Sequence, residues 1–225
     1  GAELASIAEA VKNPDEGPVV ETRVAIVWSA DAWWAAQTPA MPSNDVEFLP
    51  AVRAVHTALW ELGVVTDVVS PDEDLARYDV ILVPSLLAVS DQQADAFARF
   101  VDGGGHLAVW HFAGSTDEHL RVRQGSYSAA FASLAGIRVE EHVPLVPGGS
   151  VTLSDGAQGS SWTELLHLKG AEAMATYTGD AHPVIGAGSP AVTRRILPGG
   201  GRVHYLSTRL AGADLRSFAA RVLAE

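Results

Sequence analysis

Through its first half the chain alternates between two spacings of apolar residues. An apolar strand opens the run Arg23–Trp34, and short β-rich runs at Val65–Ser70, Asp79–Ser85 and His106–Phe112 read as strands, Asp79–Ser85 nearly all apolar, as expected of a strand covered on both faces. Between them apolar positions recur three and four apart. Phe48, Val52, Val55, Leu59 and Leu62 share one face of a helix predicted from about Asp45 to Leu62 and stopped by Gly63. Asn44 with Glu47 fits a capping box there, although Pro50 then falls inside the helix and would move its regular part toward Leu49. Ser90 with Gln93 opens a further helix that carries Ala94, Phe97 and Val101 inward and stops at Gly103. Strands alternating with helices of this length need right-handed crossovers, so the fold class is α/β with a doubly wound, mainly parallel sheet.

After Gly136 the spacing changes. Ile137–Leu145, Val151–Ser154, Trp162–Lys169, Ala173–Tyr177, His182–Ala187, Ala191–Leu197 and Arg202–Ser207 are strand-like runs parted by glycine, proline and serine, which predicts hairpins and an antiparallel C-terminal extension. Leu215, Phe218, Ala219 and Val222 place a closing helix at Ala213–Leu223, where it would cover the sheet. At the other end, residues 1–13 have helical spacing at Leu4, Ile7, Ala8 and Val11, ended by the turn-rich run Asn13 to Pro18. Residues 1–22 therefore read as a connector, and 23–225 as one domain.

Composition narrows the partners. A chain of 225 residues with 48% hydrophobic and 19% charged content is expected to fold around a core. Its formal net charge of −12, with no basic cluster longer than Arg194-Arg195, disfavours nucleic acid and anionic membrane surfaces. With no cysteine there is no disulfide, thiolate metal site or thiol nucleophile, and a reducing compartment such as the cytoplasm is permitted. No apolar run reaches the length of a bilayer, and no secretory pattern opens the sequence.

Most candidates for chemistry fail on geometry. Gly103-Gly104-Gly105 precedes a strand, whereas phosphate cradles follow one and open a helix; Gly199-Gly200-Gly201 suits a hairpin turn. His106 and His111, five apart on a strand, face opposite sides, as do Glu140 and Glu141, so neither pair can serve one ion or one sugar. His56, His142, His167, His182 and His204 show no metal-ligand spacing, and no cofactor is expected. The run from Phe112 to His119 leaves the fourth strand where hydrolases of this class place a nucleophile, and it offers Ser115, Asp117, Glu118 and His119 beside His111. Triad members come from separate loops, however, and Ser115 with Glu118 fits a capping box instead.

A different surface is suggested by Trp28, Trp33 and Trp34, delivered by the first strand to a loop at its carboxyl end that continues through Gln37, Pro39 and Pro42. Tryptophan there suits a partner interface, the flat face of a sugar ring, or packing on the domain itself.

The phrases VAIVWSADAWWA, ALWELGVVTDVVSPDEDLARYDVILVP, FVDGGGHLAVWHFAGSTDEHLRV, LAGIRVEEHVPL and PAVTRRILPGGGRVHYLSTRL resemble, in order and spacing, the middle domain of family 42 β-galactosidases, often called the trimerisation domain. The resemblance runs from Arg23 to Leu210. It implies a flavodoxin-like, class I glutamine amidotransferase-like fold that has lost its amidotransferase chemistry, in agreement with the missing cysteine. It also implies that the catalytic glutamates belong to a (β/α)8 barrel outside this chain, so no catalytic residue carries over, and that the partners are that barrel and the neighbouring subunits of a homotrimer. Galactoside would then be met only indirectly. His182-Pro183 departs from an aromatic pair often found there in the family. The alternative is a stand-alone trehalose-utilisation-type domain that processes or binds sugar, with His111, Asp117 and His119 clustered in a pocket.

Overall fold

The computed structural model describes residues 21–38, 41, 43, 45–179 and 182–225. The connector helix and the Asn44 cap expected from the sequence lie outside these residues. The chain forms β1 (Val24–Val27), α1 (Ala30–Ala36), α2 (Phe48–Glu61), β2 (Asp67–Val69), β3 (Val80–Val83), α3 (Asp91–Asp102) and β4 (His106–Trp110). It continues through α4 (Ala129–Ala135), β5 (Ile137–Pro144), β6 (Ser150–Thr152), β7 (Gln158–Ser160), β8 (Trp162–Leu168), β9 (Glu172–Thr176), β10 (Pro190–Ile196), β11 (Arg202–Leu206) and α5 (Gly212–Ala224).

Seven strands make the main sheet in the order β2-β1-β3-β4-β11-β10-β9. The first five run parallel, and β10 and β9 extend the sheet in antiparallel pairing. The fold is therefore α/β with a mostly parallel central sheet. Since β1 connects to one side of itself and β3 to the other, right-handed crossovers place α2 and α3 on opposite faces. The packing agrees, with α2 against α5 and α3 against α4. Every residue of β1 and β3 is buried, which accounts for the absence of alternation in their sequences.

Local chemistry sets the boundaries. Pro50 is the third residue of α2, where its missing N–H has no helical acceptor to lose, and Gly63 with φ +73 follows the last turn. The Ser90–Gln93 box forms in both directions, at 3.1 and 2.9 Å. Behind α3, a Cβ on Gly201 would lie 1.9 Å from the Val101 carbonyl oxygen, so the triple-glycine turn between β10 and β11 lets the helix end rest on the hairpin.

Five expectations need correction. The segment after β1 winds into helix α1, with the Ser29 hydroxyl accepting a bond from the Ala32 N–H, where a loop was expected. No helix begins at Ser115; the stretch that follows it is a turn. His182–Ala187 holds one bridge, His182 to Ile185, and is not a strand. β11 makes the expected antiparallel hairpin with β10, but its other edge pairs parallel with β4, so it lies in the interior of the main sheet and not in the antiparallel extension. Two antiparallel ribbons, β5–β8 and β6–β7, stand apart from the main sheet. A bulge between Val139 and Glu141 leaves both Glu140 and Glu141 exposed, in place of the strict alternation expected.

Candidate functional site

The carboxyl ends of β1, β3 and β4 meet at one edge, where open α/β sheets bind their partners. After β1 come Trp28 and then α1, which carries Trp33 and Trp34. Trp28 and Trp33 are half-buried against the core with ring centroids 6.5 Å apart, while Trp34 is 64% exposed. After β3, Ser85 sits at φ +48 with its hydroxyl buried and unpaired. After β4, Phe112 takes φ +71, a strained left-handed elbow that an apolar ring occupies where a nucleophile would be needed.

The structure spreads the remaining candidates apart. His111 is buried, its ring stacked on Trp162 at 6.1 Å, and burial lowers its pKa to about 4, so it is neutral at pH 7. It lines a small cavity with Ser85 and Arg209, whereas Glu118 lines a separate groove beside Trp34. Ser115 is also buried; its hydroxyl donates to the Phe112 carbonyl at 2.9 Å and accepts from the Ser128 N–H, bracing the elbow. Asp117 accepts from the N–H groups of Arg121 and His119, each at 2.9 Å, and these bonds hold its carboxyl below the usual range. Glu118 and His119 are exposed neighbours 3.7 Å apart. Among the described residues no group of histidine and carboxylate side chains is arranged to hold a metal ion.

Sequence reasoning missed a carboxylate that is fully buried and bonded on both oxygens. Glu164 on β8 has no exposure, and one oxygen accepts from the Phe112 N–H at 3.2 Å and from the Trp162 indole N–H at 3.3 Å. The other accepts from the Tyr205 hydroxyl at 2.7 Å, which in turn meets the Ser128 hydroxyl at 2.8 Å. His142 Nε2 lies 3.2 Å from the carboxylate, under the ring of Tyr127 at 4.0 Å. Burial drives the Tyr205 pKa well up, so its proton stays in place to donate. Period two was the available signal, since Trp162, Glu164 and Leu166 alternate on the inward face of one strand. Sealed beneath aromatic rings, this carboxylate ties the β5–β8 ribbon to the elbow of β4 and to β11.

Residues 22–225 match the family model described as the β-galactosidase trimerisation domain. The chain belongs to this family. A β-galactosidase from an Arthrobacter species is 43% identical to the trimerisation domain over 212 residues, 94% of this chain and 30% of the relative. BgaB of a Geobacillus strain is 33% identical over 211 residues, 92% of this chain and 31% of that protein. Among solved structures, a β-galactosidase from Rahnella superposes with a TM-score of 0.85 at 29% identity, covering 99% of this chain and 33% of that one. The trimerisation domain thus spans about a third of the length of the relatives it matches.

Proposed function

We propose that this trimerisation domain is a non-catalytic assembly module of a homotrimeric β-galactosidase acting in carbohydrate metabolism, with the catalytic glutamates in a (β/α)8 barrel elsewhere in the parent protein. The observation that carries this reading is the family match over residues 22–225 by a chain that fills only about 30% of its β-galactosidase relatives. Three features support it: an apolar ring at the β4 elbow, a Glu164 closed off from solvent, and the separation of His111 from Glu118. The strand order β2-β1-β3-β4-β11 is the support for a flavodoxin-like, class I glutamine amidotransferase-like ancestry without its chemistry. The interface we assign to the carboxyl edge, where Trp28 and Trp33 back the exposed Trp34. A cysteine-free chain whose described helices include none long and apolar enough to cross a membrane is compatible with the cytoplasm.

The isolated chain is expected to hydrolyse neither a chromogenic galactoside nor glutamine. Turnover that follows the protein through purification and disappears in Glu118→Ala or Glu141→Ala would contradict the proposal.

A further inference from the structure

The groove beside Trp34 has a chemistry of its own. Its volume is about 400 Å³, and Asp31, Trp34, Thr38, Glu118 and Leu120 line it between α1 and the turn that follows β4. Two of these side chains are apolar and outward, Trp34 at 64% and Leu120 at 49% exposure, with Val122 at 59% close by in the chain. Leu120 is also held in the left-handed region at φ +60, a conformation that costs a residue with a Cβ about 1–2 kcal/mol. Asp117 enforces it. Its carboxylate accepts from the N–H groups on both sides of Leu120, its carbonyl accepts from the Leu120 N–H at 3.0 Å, and its own N–H donates to the Arg121 carbonyl at 3.0 Å. Bridges from Thr116 to Ala88 and to Val122 fasten the base of the turn. The domain thus spends backbone strain to display a leucine to water, which nothing in its own core requires; strain of this kind collects at functional surfaces.

Charge identifies the occupant. Asp31 and Glu118 both line the groove, and among the described residues no lysine or arginine lies at ion-pair distance from either; the imidazole of His119 is 3.7 Å from Glu118. A second copy of this domain would bring a net charge of −12 against an equal charge. A lysine or arginine entering the groove would instead meet two carboxylates and the face of an indole, and its apolar stem or neighbours would meet Leu120. The remaining two-thirds of the relatives' length is outside this chain and available to supply it.

We propose that the groove formed by Trp34, Leu120, Asp31 and Glu118 is a preformed socket for an apolar segment bearing an arginine or lysine, contributed by the catalytic portion of a neighbouring subunit. The proposal rests on the assembly reading above and adds to it the face and the chemistry of the contact. A rigid socket loses little freedom on docking, so a small groove can anchor a larger interface.

The test uses the complete β-galactosidase and three forms of it: Trp34→Ala, Asp31→Lys with Glu118→Lys, and the enzyme without this domain. Sedimentation velocity across a dilution series should show Trp34→Ala raising the trimer dissociation constant by about 30-fold or more, as loss of an anchoring tryptophan does. The double charge reversal should weaken the trimer more at low than at high salt. Both variants should leave the melting temperature of the isolated domain unchanged, since the three side chains are on its surface. Intact trimers in both variants would overturn the socket while leaving the assembly reading standing, provided removal of the whole domain dissociates the enzyme. A trimer that survives that removal would instead end the assembly reading. Lower melting of the enzyme without dissociation would move the contact inside one subunit, and shifts of the Trp34 indole resonance on adding lactose to the isolated domain would make the groove a sugar site; either result overturns the proposal.

Discussion

Replacing Glu164 with alanine is expected to destabilise the domain by about 3–5 kcal/mol, the range found when one partner is removed from a buried charged network. The cost arises from what remains. The Phe112 N–H, the Trp162 indole N–H and the Tyr205 hydroxyl would each lose its acceptor in a buried site. Glu164→Gln keeps the volume and one acceptor oxygen, so it should lose clearly less. Urea denaturation followed by circular dichroism gives both values. A Glu164→Ala loss below about 1 kcal/mol would mean that the β5–β8 ribbon is held by its apolar contacts alone and that the cluster is no anchor.

Acid should weaken the fold well before its carboxylates titrate. His111 and His204 are both held near pKa 4, mainly by burial, whereas an unfolded histidine titrates near 6.5. Between those values the unfolded chain binds more protons than the native one, so stability is complete above about pH 6.5 and falls as pH drops toward 4. Linkage gives about 3 kcal/mol for His111, from the shift at roughly 1.4 kcal/mol per unit. His204 contributes with the same sign, its burial outweighing Glu225, which lies 3.4 Å from its Nε2 and favours its charged form. Urea midpoints at pH 7, 5.5 and 4.5 should fall steadily, and His111→Asn should remove much of that slope. A flat profile over this range would show that the histidines gain no charge on unfolding.

How much could be read from the sequence depended on how far each feature was local. The parallel core was legible because fully buried strands carry unbroken apolar runs, as Val80–Val83 does, and the Ser90–Gln93 box because its bonds join residues three apart. Helix α1 was not, since seven residues give barely two turns and its tryptophans do not repeat with helical spacing. The place of β11 beside β4 is a long-range choice, and burial on both faces reads alike in a parallel and an antiparallel strand. β7, Gln158–Ser160, carries almost no apolar pattern and is held in place by its pairing with β6. Glu164 was overlooked because a charged residue on a strand is ordinarily read as its wet face; the donors that make burial tolerable come from β4, β11 and its own neighbour Trp162. The tryptophan surface divided in a similar way. Trp28 and Trp33 are half-buried by this chain, whereas Trp34 is 64% exposed.

The central claim is that this domain assembles the enzyme and does not perform its chemistry. Sedimentation velocity of the complete β-galactosidase, with and without residues 22–225 of this domain, tests it most directly. The intact enzyme should sediment as a trimer, and the shortened one as a folded monomer at micromolar concentration. A shortened enzyme that remains trimeric would contradict the account.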